Sequence, residues 1–210
     1  MAMLSYATAS FGWRFSITVA LLAALVLGLS LRSLAGAGPE VNLYGRADPS
    51  QFRAGELDPE AVRDATTFQE FPLVWVGEEF QGFELVEFLH KEGDGYDKVY
   101  LIYGDCESPA ELTEPSCVPP LSIVINRPGS VPSPDAVEPR IAGPETERRG
   151  VTARLVSGGM VLWTGGVVIT VHANSEHMDA AIDELKTVNH EILGESAIGP
   201  GDDLSPLAER

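Results

Sequence analysis

The sequence predicts an α+β fold: an antiparallel twisted sheet of about six strands, carrying a short N-terminal helix and a C-terminal amphipathic helix, preceded by one transmembrane helix. Three observations lead there. Val151 to Val156, Met160 to Trp163 and Val167 to Val171 are β-rich runs, separated by Gly158-Gly159 and Gly165-Gly166, the residue type that tight hairpin turns favour. Met178, Ala181, Ile182, Leu185, Val188 and Ile192 recur at helical spacing after them. Near the start, Phe15 to Leu31 carries no charged residue.

The apolar leader sets the expected organisation. A spanning helix needs roughly 17–25 residues, whereas a cleavable signal core is usually about 7–15. Phe15 to Leu31 reaches the spanning range, with Arg32 able to extend its charge to the interface. Ala35-Gly36-Ala37 is also a sequence that signal peptidase accepts, so cleavage after Ala37 competes with retention. Arg14 on one side and Arg32 with Arg46 on the other nearly balance, and orientation rests on the export habit of such leaders. The expected divisions are a transmembrane anchor or signal peptide over 1–37, a linker over 38–57, an extracytoplasmic domain over 58–194 and a disordered tail over 195–210. The implied address is a single-pass cell-membrane protein with its C-terminal domain outside, or a secreted one after cleavage.

Within the domain, Asp58-Pro59-Glu60 combines an N-cap acid, Pro at the first helical position and a first-turn acid. That helix is expected to run to about Thr67, and Pro72 prevents its continuation. Leu73 to Val76 is an apolar strand stopped by Gly77, and Phe83 to Leu89 is a second strand. Glu92-Gly93-Asp94-Gly95 reads as a turn before the strong strand Lys98 to Tyr103, and Leu121 to Ile125 follows as another. Arg127 to Arg149, with Pro128, Pro132, Pro134, Pro139 and Pro144, reads as an irregular excursion. The last helix is expected from about Glu176 to Leu193, begun by Asn174-Ser175 and ended by Gly194. No strand-helix-strand alternation is present, which argues against a doubly wound fold.

Charge narrows the partners. The chain holds 31 acidic against 14 basic residues, a net charge of −17, and no Asp or Glu lies between Met1 and Ala37. Such a body is repelled by phosphate backbones, which excludes nucleic acid as a partner. Divalent cations, basic partners or solubility are what the field can serve.

The cysteines are Cys106 and Cys117, whose C-x10-C spacing matches no zinc or thioredoxin pattern. As a disulfide in an exported domain they close a short loop, worth about 3 kcal/mol in the chain-entropy account. The alternative is two free, buried thiols in a cytosolic domain. Among other candidates, His172 and His177 could approach each other at a strand-helix corner near Asp179, but a zinc site needs three or four convergent ligands. His90 and His190 read as surface histidines. Glu92 to Asp97 has the composition of a calcium loop without its alternating oxygen ligands, and a hairpin turn explains the same residues. Ser157 sits in a turn rather than a nucleophile elbow. Trp75, Trp163, Tyr100 and Tyr103 could form an aromatic surface, although core packing suits residues within strands better. No catalytic residue, metal ligand or cofactor is expected.

At Tyr103-Gly104-Asp105-Cys106 and Cys117-Val118-Pro119-Pro120-Leu121 the chain resembles a group of uncharacterised, N-terminally anchored bacterial exported proteins that share a Y-G-x-C…C-x-x-P-L segment. The likeness takes in Trp75-Val76-Gly77, Thr164-Gly165 and the C-terminal helix, and so covers about Phe71 to Asn189. It implies export and a disulfide, and no activity. The resulting expectation is a membrane-anchored extracytoplasmic domain acting as a non-enzymatic binding module of the cell envelope. Its partners would be the membrane, through the N-terminal helix, and a protein or other envelope component. One alternative is an envelope hydrolase whose pocket gathers two or more of His172, His177, Asp94, Asp97 and Asp105. Another is an accessory or sensor subunit of a membrane complex.

Overall fold

Strands dominate wherever β-branched and aromatic residues alternate, and the computed structural model describes residues 49–106, 118–127, 129–130, 142–156 and 158–208. All belong to one compact unit, Asn42–Arg210. In chain order the strands are β1 (Phe52–Arg53), β2 (Val74–Trp75), β3 (Glu79–Phe80), β4 (Phe83–Gly93), β5 (Tyr96–Tyr103) and β6 (Asp105–Cys106). They continue with β7 (Leu121–Asn126), β8 (Ala142–Arg148), β9 (Val151–Val156), β10 (Gly159–Trp163), β11 (Val168–Ala173) and β12 (Lys186–Thr187). The helices are α1 (Pro59–Thr67), α2 (Met178–Glu184) and α3 (His190–Leu193).

Eight strands form one sheet in the order β3-β4-β5-β7-β11-β10-β9-β8, with every neighbouring pair antiparallel. The chain zigzags through β3, β4, β5 and β7, starts again at the far edge with β8, and zigzags back until β11 lies against β7. Two small ladders, β1 with β6 and β12 with β2, flank the sheet.

The sheet is larger than the six strands expected. The strand that sequence reasoning missed in the supposed excursion is β8, Ala142–Arg148, whose AGPETER sequence has Pro and charge in place of an apolar period. As an edge strand with exposed side chains it needs neither, since only one side of its backbone must pair. It joins β9 through Arg149-Gly150, at φ of 48° and 74°, the left-handed pair that a two-residue hairpin turn demands. Gly159 does not belong to the next turn as Gly158-Gly159 implied, because it pairs with Val156 inside the ladder.

One face of the sheet carries the core. Leu85, Leu101, Ile123, Ile125, Leu162, Ile169 and Val171 are fully buried there, together with Ala61 and Ala65 of α1 and Ala181 and Ile182 of α2. Small alanines let the helices settle close to the strands. Asp58 caps α1 as the sequence implies, its Oδ1 accepting from Glu60 N at 2.9 Å.

The C-terminal helix is much shorter than Glu176 to Leu193. After seven residues Leu185 turns extended, Lys186–Thr187 pair with Trp75 and Val74, and a separate turn of helix begins at His190. Two buried side chains enforce the break. Thr187 Oγ1 accepts from Ile198 N at 2.9 Å. Asn189 Oδ1 accepts from Leu73 N at 2.9 Å, while its Nδ2 donates to Phe68 O at 3.0 Å and Phe71 O at 2.9 Å. Helical spacing at Val188 and Ile192 was thus coincidental, and Ile192 is exposed.

The expected tail is also corrected. Ile198, Leu204 and Leu207 are buried, and Arg149 ties the segment down. Its Nη1 donates to Ile182 O at 3.0 Å and Leu185 O at 2.6 Å. Its Nη2 donates to Gly199 O at 2.7 Å and its Nε to Asp202 O at 2.6 Å. Likewise the end of the expected linker is structured: Phe52–Arg53 pair with β6 and Leu57 packs on the core.

The expected single-pass anchor is not supported, and the membrane address and signal-anchor built on it go with it. Among the described residues no helix is long and apolar enough to cross a membrane. Phe15 to Leu31 lies outside the described residues. Cys106, at the end of β6, is disulfide-bonded; Cys117 lies outside the described residues, and with it the expected Cys106–Cys117 pairing.

Candidate functional site

The β4–β5 hairpin projects with opposite chemistry on its two sides, and its register explains why. Pairing runs His90↔Val99, Lys91↔Lys98, Glu92↔Asp97 and Gly93↔Tyr96, closed by Asp94-Gly95. Successive residues alternate between faces. Lys91, Lys98, Tyr96, Leu89 and Tyr100 therefore share the face away from the helices, while His90, Glu92 and Asp97 share the face that α1 covers. On each side a like-charged pair stands directly opposite, an arrangement that costs stability.

On the side opposite α1 the two ammonium groups converge on aromatic rings. Lys91 Nζ lies 5.3 Å and Lys98 Nζ 5.1 Å from the Tyr100 ring centre. Lys98 Nζ also lies 5.5 Å from the ring of Tyr96, within the range of cation–π attraction. Tyr96 is 44% exposed and folds across Gly93, where an added Cβ would stand 2.4 Å from the ring. Beyond Tyr100 the same face continues into Ile102 and then Val124, Val161 and Val168, which are buried but stand apart from the main core. The buried residues of α1 and α2 all join the core on the other face.

On the covered side, His90 Nε2 lies 2.9 Å from Asp97 Oδ1, 3.7 Å from Glu92 Oε1 and 4.0 Å from Glu70 Oε2. Glu70 comes from the segment after α1, between Phe68 and Phe71. Those two rings meet the imidazole edge-to-face, with centroids 5.1 and 6.5 Å away. Arg127 Nη1 meets the other Asp97 oxygen at 3.2 Å. Desolvation holds the Glu70 carboxyl above its usual range; the charges of Glu92 and Asp97 push the same way, and His90 opposes them. These four donors are the group among the described residues that could hold a metal ion.

The other expected residues do not converge. His172 stands on the face opposite α1 and α2 with Nδ1 3.2 Å from Gly158 O, while His177 packs edge-to-face with Phe80 and Phe83. Asp179 meets Arg148 at 3.5 Å. His190 opens α3 instead of lying late in a long helix, and its Nδ1 is buried without a hydrogen-bond partner, as is that of His177. Asp94 lies in the hairpin turn, and Asp105 accepts from Cys106 N. Of the residues expected in a hydrolase pocket, only Asp97 joins a cluster. Two surface hollows, of about 330 and 250 Å³, are lined by Glu145 to Glu147 with Gly150 to Thr152, and by Pro72 and Gly166 with the C-terminal segment; neither includes any of those residues. Trp75 and Tyr103 are buried, the latter donating to Gly77 O at 3.0 Å, so an aromatic surface of all four expected residues does not form.

The His90 group was legible in part. A two-residue turn at Asp94-Gly95 places Glu92 opposite Asp97 and His90 beside them, and Lys91 opposite Lys98. Glu70 arrives from a separate segment and left no local signal. No protein-family model, curated protein or solved structure matches the chain.

Proposed function

We propose that this chain is a non-enzymatic binding module, and that its working surface is the side of the β4–β5 hairpin opposite α1, which takes an acidic protein segment bearing an apolar or aromatic side chain. The observation that carries this reading is the Lys91–Lys98 pair gathered over Tyr100 and Tyr96. In a chain of net charge −17, placing two cations directly opposite each other works against the ladder. A carboxylate lying between the two ammonium groups relieves that repulsion, and charge-assisted bonds of this kind are the strong ones. Leu89 and Ile102, both half-buried, supply the adjoining apolar ground, an arrangement of aromatic anchor and polar rim typical of recognition surfaces.

Selection of displayed peptides on the wild-type protein, with counter-selection on a Lys91→Glu/Lys98→Glu variant, tests the reading. Enrichment of acidic, aromatic-containing sequences that bind the wild type and not the variant is the expected result. Failure to enrich, or equal binding to both proteins, overturns it.

A further inference from the structure

We propose that Glu70, His90, Glu92 and Asp97 hold one divalent first-row cation, Zn²⁺ or Mn²⁺, on the helix-covered side of the β4–β5 hairpin. The site lies on the opposite face from Lys91 and Lys98 and is independent of peptide binding there.

The four donor atoms lie within 4.8 Å of one another. Ligands bound to one ion at about 2.0–2.2 Å stand roughly 3–4 Å apart, so small side-chain rotations complete the shell. An imidazole nitrogen is the hub, which separates this group from an ordinary patch of surface acids. One nitrogen with carboxylate oxygens suits zinc or manganese, whereas calcium draws on six or more oxygens and gains little from imidazole.

Two outer contacts pre-orient the donors. Phe68 and Phe71 pack edge-to-face with the His90 ring, and Arg127 holds one oxygen of Asp97 so that the other faces the imidazole. Support of this kind from outside the ligand set is what tunes metal sites. Charge agrees. Three carboxylates against the single guanidinium of Arg127 leave an excess of negative charge at the site, which a divalent cation offsets. Without it Glu92 faces Asp97 directly across the ladder, with Glu70 adding a third like charge.

Equilibrium dialysis of the full chain, stripped with a chelator and then exposed to Zn²⁺, Mn²⁺ or Ca²⁺, decides the matter. One Zn²⁺ or Mn²⁺ per chain is expected, with affinity falling at least about tenfold in Glu92→Gln and in His90→Gln. A Glu147→Gln control at the far edge of the sheet should bind as the wild type does. The Glu92 side chain is 62% exposed, so its replacement leaves packing intact, and melting of the metal-free variant verifies the fold. Zn²⁺ or Mn²⁺ should also raise Tm in the wild type but not in Glu92→Gln. Absence of stoichiometric binding, binding unchanged in both variants, or Ca²⁺ held as tightly as Zn²⁺ and indifferent to His90→Gln overturns the proposal.

Discussion

Lys91 and Lys98 face each other across β4 and β5, with their ammonium groups 5.3 and 5.1 Å from the centre of one tyrosine ring, that of Tyr100. The ring's negative face partly offsets the repulsion, and the strain that remains is available to an incoming carboxylate.

A single substitution there separates stability from binding. Lys91→Glu turns a like-charged cross-strand pair into an opposite-charged one, with an expected gain of about 0.2–1 kcal/mol in urea unfolding. The same variant should lose affinity for acidic peptides. A variant both less stable and still binding would count against the role assigned to the pair.

Asn189 is 1% exposed and satisfies three backbone groups, Leu73 N–H and the carbonyls of Phe68 and Phe71. Replacing it with Ala strands all three away from water, each unmade bond costing about 1–3 kcal/mol. The expected loss is about 3 kcal/mol or more in denaturant unfolding, with the segment 68–73 the first to gain hydrogen exchange. Asn189→Asp keeps the acceptor and loses both donors, and should be comparably damaging.

Arg149 holds the C-terminal segment through four carbonyl oxygens, those of Ile182, Leu185, Gly199 and Asp202. Burial lowers its pKa, with Asp183, Asp202 and Asp203 opposing the shift, and the guanidinium stays charged at any ordinary pH. Arg149→Gly relieves the left-handed backbone at φ 48° but removes the four bonds. Amide exchange should therefore rise at Leu204 and Thr187, whose N–H groups bond to Arg149 O and Ile198 O, while β4 and β5 keep their protection. Uniform acceleration across the sheet would instead mean that the clasp holds up the whole fold.

Stability should fall on mild acidification through His172. Burial pushes its imidazole below the ordinary value, partly opposed by its bond to Gly158 O. The unfolded chain takes up this proton near pH 6.5, and the folded protein only at lower pH. Between the two, the unfolded state binds more protons, so stability drops as pH falls below about 6.5 and levels off once the folded imidazole titrates. Above that window the group has no effect. A His172→Gln variant should show a flatter profile of unfolding free energy between neutral pH and pH 5.

Local chemistry was enough to locate the strands β4, β5, β7, β9, β10 and β11, the start of α1 at Asp58-Pro59, and a turn between β4 and β5. Each depends on alternation or turn residues a few positions apart, which the chain carries in its own order. Non-local pairing decided the rest. AGPETER becomes a strand because β9 offers it an edge, and the last helix breaks because Lys186–Thr187 bond to β2. The supposed tail packs because Arg149, about fifty residues earlier, reaches its carbonyls. Glu70 meets His90 for the same reason: a donor from a distant segment enters a cluster only once the sheet and α1 have set the distance between them.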